Sequence, residues 1–344
     1  MSIGQRKLDH IHHLVNDPLV DRQGGYFDAF RLLHNALPEC DLSDVDMRCE
    51  FLGKPLSAPL LISSMTGGDH PELLAINRRL AEAAEHCGVA LAVGSQRIQF
   101  ENDAAAQSFN LRQFAPNVPL IANLGAVQLN YQLNATHAQA AINQLDADGL
   151  YLHLNPLQEA IQPEGDTNFA NLWQKISDCQ QHLNRPILLK EVGSGLSPDL
   201  IRQGLAQGIT YFDVAGSGGT SWSRIEQLRS AGNPIGLTFQ DWGLPTPWIL
   251  QQCRPIAPQA QLIASGGLRN GVDVVKSLVL GARIAGMAAP FLQPAMESTQ
   301  AVIDRIEQVK QEIRISLFLM GKPSLKDVWL NKHLIVDLAE GSRR

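Results

Sequence analysis

The chain carries eight short runs of mostly apolar residues, each ending in small or polar residues, and seven of them lead into a segment with helical spacing. The runs are Ala58 to Met65, Ala90 to Ser95, Leu120 to Gly125, Gly149 to Asn155, Pro186 to Gly193, Tyr211 to Gly216, Leu262 to Gly267 and Ile284 to Ala289. Eight alternating strand and helix units predict an α/β fold, a closed (β/α)8 TIM barrel. The chemistry of such a barrel lies at the C-terminal ends of its strands.

The rest of the chain reads as extensions of that barrel, so the sequence predicts a single domain over residues 1–344. Residues 1–57 form an N-terminal extension, 58–292 the barrel, and 293–344 a C-terminal extension with an amphipathic helical pattern. The connection from Ser217 to Gln261 is long for its kind, which indicates a functional lid.

Composition and charge limit the kinds of molecule that the protein is expected to bind. A net charge of -6 and a pI near 5.9 give no basic face for a nucleic acid. No apolar run approaches the ~20 residues of a membrane span, and the N-terminus lacks a signal-peptide core. Five scattered cysteines predict a reducing compartment: Cys40, Cys49, Cys87, Cys179 and Cys253. We therefore expect a cytoplasmic protein that acts on a small molecule, with no nucleic-acid or membrane partner.

The last two strand ends predict a phosphate site. The seventh run ends at Gly266 and Gly267, within the segment Ser265-Gly-Gly-Leu-Arg269, and the eighth ends at Ala288 and Ala289. Main-chain amides with little side-chain cover bind anions at such corners of a barrel. The alternative is that these glycines are only turn residues.

The other strand ends suit a flat cofactor such as flavin mononucleotide (FMN). They supply Met65, Thr66 and Gly67 after the first strand, Ser95 after the second, Asn123 on the third and Lys190 on the fifth. A lysine near the flavin N1 edge can stabilise the negative charge of the reduced ring. The alternative for Lys190 is a structural ion pair, for example with Asp213, and Met65 alone would be an ordinary core residue.

The fourth strand leads into a polar group. Alternation along a strand places His153 and Asn155 on one face, and Gln158 and Glu159 follow in the loop. One carboxylate among amide oxygens is a plausible magnesium site, because Mg²⁺ keeps waters and phosphate oxygens in its shell. The alternative is a satisfied polar loop.

Basic groups for an anionic substrate occur near the N-terminus and after the second strand. They are Arg6, Lys7 and His10, and Arg97 in the segment Ser95-Gln96-Arg97. Each of these alone would more often be a solvated charge, and an Arg-Lys pair near a terminus is often disordered.

Together these motifs resemble the type 2 isopentenyl-diphosphate isomerases. They lie in the expected order and spacing from Arg6 to about Leu292, without a departure at a motif position. The motifs are Arg6-Lys-Leu-Asp-His10, Met65-Thr-Gly-Gly68, Gly94-Ser-Gln-Arg97, Ala122-Asn-Leu-Gly-Ala126, His153-Leu-Asn-Pro-Leu-Gln-Glu159 with Gln162-Pro-Glu-Gly-Asp166, Ala215-Gly-Ser-Gly-Gly-Thr-Ser-Trp222 and Asp241-Trp-Gly243.

The resemblance implies an enzyme that interconverts isopentenyl and dimethylallyl diphosphate with reduced FMN, Mg²⁺ and NADPH as reductant, and that forms a homotetramer or homo-octamer. It implies flavin contacts from Met65, Thr66, Gly67, Ser95, Asn123, Lys190, Thr220, Gly267 and Ala288, to which the phosphate corner adds Gly266, Arg269 and Ala289. It implies Mg²⁺ at Glu159. Substrate would meet Arg6, Lys7, Ser95, Gln96, Arg97 and Gln158, with His10 and Asn155 beside them.

Our hypothesis for the chemistry is that the flavin moves the protons while His153 and Gln158 orient substrate or assist proton transfer. Two alternatives remain at this point. One is an FMN-dependent barrel oxidoreductase, such as a 2-hydroxy acid oxidase, which would use the same phosphate corner. The other is a flavin-binding module without catalytic activity.

Overall fold

The computed structural model describes residues 3–22, 25–65, 67–68, 70–229 and 234–338, with the main chain alone for residues 3–6 and 103. The strands are β1 Phe30–Leu32, β2 Cys49–Phe51, β3 Lys54–Leu56, β4 Leu60–Ile62, β5 Ala90–Ala92, β6 Leu120–Gly125, β7 Gly149–Leu154, β8 Ile187–Glu191, β9 Tyr211–Asp213, β10 Gln261–Ala264, β11 Ile284–Met287 and β12 Ile335–Asp337. The helices are α1 Ile3–Asn16, α2 Pro71–Cys87, α3 Asp103–Ala106, α4 Ala135–Leu145, α5 Pro156–Ile161, α6 Leu172–His182, α7 Pro198–Ala206, α8 Trp222–Arg229, α9 Ile235–Thr238, α10 Thr246–Cys253, α11 Gly271–Leu280, α12 Ala289–Glu297, α13 Thr299–Leu319 and α14 Leu325–Val328.

Strands β4 to β11 form a closed barrel in chain order, with every neighbouring pair parallel and β11 closing on β4. This confirms the predicted (β/α)8 barrel. Most strands end earlier than the apolar runs do: β4 stops at Ile62 rather than Met65, and β9 at Asp213 rather than Gly216. Single hydrogen bonds to the neighbouring strand continue beyond these ends, from the Ser63 N–H to the Met287 carbonyl and from the Gly216 N–H to the Ser265 carbonyl, before the chain enters the mouth loops.

Proline and glycine at particular positions set where the helices around the barrel begin and end and how closely they pack. Helix α2 begins with a proline at its first turn and ends at Gly88, whose φ of 63° is left-handed and suits glycine. At Gly271 an added Cβ would lie 2.5 Å from the Val309 carbonyl oxygen, so glycine permits the close crossing of α11 and α13. Each buried leucine or isoleucine of this shell contributes roughly 1.5–3 kcal/mol.

The inside of the barrel changes from apolar to polar along its axis. Ile121, Tyr151 and Leu188 belong to a buried cluster that the hairpin β2–β3 closes with Phe51. Two residues further along three of these strands come Asn123, His153 and Lys190. Since side chains alternate in a strand, the same inward face therefore carries the core at one end and polar groups at the mouth.

Both extensions contact the barrel. Helix α1 lies at the mouth, where it packs against α8, and β1 pairs with β12 so that the N-terminal and C-terminal extensions meet. Among the described residues, no helix is both long and apolar enough to cross a membrane.

Candidate active site

A cavity of about 250 Å³ opens at the C-terminal end of the barrel, where the polar inward residues lie. Most of the predicted site residues line it: Lys7, His10, Met65, Ser95, Arg97, Asn123, His153, Asn155, Gln158, Glu159, Lys190, Thr220, Gly266, Gly267, Arg269, Ala288 and Ala289. Residues separated by up to 282 positions in the chain therefore form one site.

Gln96 does not lie on that wall, and the expected contact with substrate does not fit the structure. The side chain is fully buried and its amide is occupied inside the protein. Its Oε1 accepts from the Asn123 main-chain N–H at 2.9 Å, and its Nε2 donates to the Ala141 carbonyl at 3.0 Å. Gln96 therefore fixes the position of β6.

Gly67 also lies off the cavity wall, against Phe109, where an added Cβ would come within 2.6 Å of the ring. Two predicted residues cannot be placed fully. Thr66 lies outside the described residues, and for Arg6 only the main chain, in α1, is described.

His153 is held in its neutral form with a defined tautomer. Asn123 commits its Nδ2 to the Val93 carbonyl at 2.9 Å, so its Oδ1 must accept from His153 Nδ1 at 2.8 Å. Burial, with the charges of Lys190 and Lys7, lowers the pKa of His153 to about 4. At neutral pH the imidazole therefore carries one proton, on Nδ1, and keeps Nε2 as an acceptor.

This depressed pKa predicts a pH-dependent contribution to stability. The unfolded chain takes up a proton near pH 6.5, and the folded protein only near pH 4. As pH falls through that window, wild type should lose up to about 3 kcal/mol of unfolding free energy relative to His153→Gln. Urea unfolding of both proteins between pH 7.5 and 4.5 measures this. A difference that stays constant with pH would contradict the assignment.

Lys190 belongs to a buried network at the same depth. Its Nζ lies 2.9 Å from Asp213 Oδ2 and donates to Ser265 Oγ at 3.3 Å. Asp213 is fully buried and accepts from the Tyr151 hydroxyl at 2.9 Å and from Ser265 Oγ. Burial, the larger cause, and the charge of the Asp213 carboxylate both raise the pKa of Tyr151. The ion pair with Asp213 thus exists, and it holds the ammonium on the cavity wall.

Gln158 has its amide orientation fixed by a residue that the sequence did not single out. Its Nε2 donates to Glu226 Oε1 at 2.8 Å, and a carboxylate can only accept. Glu226 is fully buried on α8; it also meets His10 Nε2 at 3.3 Å and is bonded by Arg229. Burial alone would raise the pKa of Glu226, but these hydrogen bonds and charges outweigh it and lower the pKa.

Glu159 lies next to Gln158 on α5, and Asn155 Nδ2 contacts both side chains. Its Oε1 accepts from Asn155 Nδ2 at 2.8 Å and its Oε2 from the Asp166 N–H at 2.7 Å. The buried Asn155 Oδ1 has no hydrogen-bond partner among the described residues. Among the residues that the structure describes, no group of three or more His, Cys, Asp or Glu side chains is arranged so that it could hold a metal ion. One carboxylate with amide oxygens fits Mg²⁺, which completes its shell with water and phosphate oxygens.

Asp166 connects this group to Arg97, a cation on the cavity wall. Its Oδ2 accepts from Arg97 Nη1 at 2.9 Å and from Gln128 Nε2 at 2.7 Å. Because its main-chain N–H also bonds Glu159, Asp166 sets the distance between the candidate metal ligand and Arg97.

The phosphate corner has the features that an anion needs. Gly266 has a φ of 86° and touches the Gly216 main chain so closely that a Cβ would lie 2.1 Å from its carbonyl oxygen. Helix α12 starts at the cavity with Ala288 as N-cap and without a side-chain cap. Pro290 has no N–H and the Phe291 N–H donates to the Ala288 carbonyl at 2.9 Å, so the first-turn N–H that a ligand can use is that of Ala289. Arg269 lies alongside, bonded to Asp21 at 2.7 Å. These residues fit the phosphate of FMN, and Lys190 fits its ring.

Sequence reasoning missed Glu226 and Asp21 as members of this site. Glu226 lies on a helix with neighbouring charges, and Asp21 in an irregular segment, so neither has a local pattern that distinguishes it from a solvated carboxylate. Glu226 becomes buried only when α1 and α8 meet over the mouth, and Asp21, which stays partly exposed, reaches Arg269 only when the chain after α1 pairs with the loop after β9.

Comparison with known proteins is consistent with this geometry. The family described as FMN-dependent dehydrogenase matches residues 129–336. The isopentenyl-diphosphate delta-isomerase of Hydrogenovibrio crunogenus is 57% identical over 97% of this chain and 98% of its own length. The enzyme of that name from Paracoccus zeaxanthinifaciens is 52% identical, with 97% of both chains covered.

Among solved structures, a flavocytochrome b2 variant superposes with a TM-score of 0.71 at 17% identity, covering 99% of this chain and 84% of its own. A mandelate oxidase variant gives 0.61 at 16%, covering 96% and 89%. These likenesses show the fold alone. Relatives that are 52–57% identical along nearly the whole length establish the family as well. The chain belongs to the isopentenyl-diphosphate delta-isomerases, in the FMN-dependent type 2 branch.

Proposed function

We propose that this protein interconverts isopentenyl and dimethylallyl diphosphate, with FMN in its reduced form and Mg²⁺ bound at the mouth of the barrel. The observation that carries the proposal is the division of one cavity into a phosphate corner at Gly266, Gly267 and Ala288 and a second polar group around Glu159. Two anionic groups, one from the cofactor and one from the substrate, can then bind at opposite sides of a shared interior.

The substrate diphosphate is assigned to the side of Glu159. Lys7 and Arg97 line the cavity there, and Lys7 Nζ donates to the Ser95 carbonyl at 2.9 Å, which holds it at the second strand end. In a chain with a net charge of -6, this local set of cations supplies the attraction that the protein as a whole does not. Arg6 precedes Lys7 on α1 and is assigned to the same diphosphate.

The reaction adds a proton to one end of the alkene and removes one from the neighbouring carbon, with no net oxidation. Reduced FMN supplies, when bound, an electron-rich ring that can exchange protons and face a developing cation. The residues around it would hold the hydrocarbon part of the substrate in a space whose polar groups include Gln158 and neutral His153. Neither carries a charge at neutral pH, so neither opposes positive charge on the substrate.

Glu159 gives a direct test of the metal assignment. Replacing Glu159 by Gln removes the carboxylate charge but keeps an amide oxygen for one of its two hydrogen bonds. We expect the Mg²⁺ concentration for half-maximal turnover to rise at least about tenfold. Titrating turnover with Mg²⁺ measures this. Glu164→Gln, in the same loop but exposed and paired with Arg229, is the matched control, and an unchanged requirement in Glu159→Gln would refute the role.

The activity is tested with the purified FMN-loaded protein, isopentenyl diphosphate and Mg²⁺ in deuterated water, with and without anaerobic reduction. Deuterated dimethylallyl diphosphate seen by NMR only after reduction, without stoichiometric NADPH consumption, is the expected result. No conversion by the folded, reduced, FMN-loaded protein would overturn the proposal. Reduction of the bound flavin by 2-hydroxy acids such as lactate or mandelate would then favour the oxidoreductase alternative, which the 52–57% identical relatives do not support.

Further properties belong to the same proposal. NADPH is the proposed reductant, and a homotetramer or homo-octamer the proposed assembly. The five cysteines are all free in the fold, which supports a reducing, cytoplasmic location.

A further inference from the structure

Arg22 uses every N–H of its guanidinium on main-chain carbonyls. Nε donates to Gly219 at 3.0 Å, Nη1 to Gln240 and Trp242 at 3.3 Å each, and Nη2 to Gly193 and to Thr220, the latter at 3.2 Å. A guanidinium has five N–H donors in a rigid plane, and here the five meet five acceptors. Lysine, with three donors and no fixed plane, cannot reproduce this set.

These carbonyls come from three separate segments around the mouth. Gly193 belongs to the loop after β8, Gly219 and Thr220 to the loop after β9, and Gln240 and Trp242 to the segment before α10. Gly193, Gly219 and Thr220 also line the cavity. Carbonyl oxygens that converge on one point repel one another unless a cation lies between them, so Arg22 is what permits this approach.

The loop after β8 is fixed from its other side as well. Glu191 is buried and accepts the N–H groups of Val192 and Gly193 at 2.7 Å and of Gly195 at 3.1 Å. The peptides of this loop therefore direct their N–H groups to Glu191, while the Gly193 carbonyl turns to Arg22. Asp21, Asp241 and Glu191 are the carboxylates whose charge acts on the guanidinium, and Tyr26 faces it too.

Arg22 also ends the segment that attaches α1 to the barrel, residues 17–22, which we call the strap. Asp17 accepts from Arg224 at 2.8 Å, the Val20 carbonyl accepts from the Ser221 N–H at 2.8 Å, and the Arg22 N–H donates to Gly219 at 3.1 Å. The neighbouring Asp21 bonds Arg269 of the phosphate corner. Helix α1, which carries Lys7 and His10, ends at Asn16, directly before the strap.

We propose that Arg22 is a positioning residue that couples α1, whose basic residues are assigned to the substrate, to the loops that face the flavin. FMN affinity and the order of α1 then depend on the same guanidinium. The coupling deepens the proposed function, since it concerns the binding of FMN and substrate in that same cavity. It follows from the geometry, because the Arg22 side chain bonds the loops while its main chain belongs to the strap that leads to α1.

The test replaces Arg22 by Met and by Lys in the full-length protein. Two quantities are measured on each variant: the dissociation constant of FMN, from quenching of flavin fluorescence, and hydrogen exchange of the α1 amides with FMN bound. We expect Arg22→Met to weaken FMN at least about tenfold, equivalent to about 1.4 kcal/mol, and to speed exchange in α1. Arg22→Lys should fall between this variant and wild type. Arg48→Gln, at an exposed arginine whose partner among the described residues is the nearby Asp46, is the control.

A specific readout separates this role from a general loss of stability. In Arg22→Ala, millimolar guanidinium should restore FMN affinity and α1 protection, whereas methylammonium at the same concentration should not, because only the planar fork matches five carbonyls. Where Arg22→Met fails to fold, Arg22→Lys decides by the same two measurements. Wild-type FMN affinity, or wild-type α1 protection, in a folded Arg22→Met would overturn the proposal.

These readouts do not depend on turnover. If the wild-type protein binds FMN but does not isomerise isopentenyl diphosphate, the proposed function fails, while FMN affinity and hydrogen exchange still test the coupling through Arg22.

Discussion

Replacing Lys190 by Met should destabilise the FMN-free protein by about 3–5 kcal/mol at neutral pH. The substitution leaves Asp213 fully buried and charged, with the Tyr151 and Ser265 hydroxyls as its remaining partners. A buried carboxylate without its cation costs far more than the pair contributed, because its desolvation is no longer compensated. Urea unfolding at pH 7 measures the loss.

A second substitution separates charge from packing. Adding Asp213→Asn to Lys190→Met removes the unpaired charge, so most of the lost stability should return. The ability to stabilise the reduced flavin should not return, and the midpoint potential of bound FMN should stay below that of wild type. Lys54→Met is the matched control. Its partner Asp148 keeps Arg112 at 2.8 Å, so the loss should stay below about 1 kcal/mol. A double variant as unstable as Lys190→Met would refute this explanation.

Replacing Gln158 by Leu should lower turnover by about 10²–10⁴-fold while FMN binding stays near wild type. Gln158 contacts the cavity from α5, on the side opposite the phosphate corner, and its loss leaves Glu226 still bonded by Arg229 and His10. The fold therefore keeps its buried carboxylate satisfied, and the loss falls on the reacting substrate. Robust turnover in Gln158→Leu would remove this residue from proton transfer and substrate orientation.

The partner of Gln158 allows a sharper version of this test. Gln158→Glu places a carboxylate at the 2.8 Å position beside Glu226, and two such groups cannot both ionise. One pKa of the pair rises, so activity should be retained at low pH and lost as pH rises through that value. In the double variant Gln158→Glu with Glu226→Gln, the amide at position 226 donates and the carboxylate at position 158 accepts, which exchanges the two roles. The new pH dependence should then disappear.

The barrel itself does not distinguish an isomerase from an oxidase. Flavocytochrome b2 and mandelate oxidase share the fold at 16–17% identity. The FMN-dependent dehydrogenase family matches residues 129–336, which include strands β7 to β11 and the phosphate corner. In this chain α1 covers the mouth with Lys7 and His10, and the group around Glu159 lines it. Function in this fold therefore depends on what covers and lines the mouth.

Much of the site could be predicted because the relevant signals are local. Alternation along β6, β7 and β8 places Asn123, His153 and Lys190 on the inward face, and their position at strand ends places them at the mouth. The substrate contact expected of Gln96 came from the resemblance of its motif and not from strand alternation. Its neighbours Ser95 and Arg97 line the cavity, but the short helical turn Gln96–Phe100 directs the amide of Gln96 into the wall.

The sequence by itself determined the barrel, the order of its strands and most of the residues around its mouth, because strand periodicity, helix ends and short motifs are properties of neighbouring residues. The tertiary structure alone decided which of those groups bond to each other. Gln158 and Glu226 are 68 residues apart, Lys190 and Ser265 are 75 apart, and Arg22 reaches carbonyls 171 to 220 residues away. Such partners meet only when the barrel closes and α1 lies over it. A polar side chain near a strand end carries no local sign of which distant group will satisfy it once water is removed.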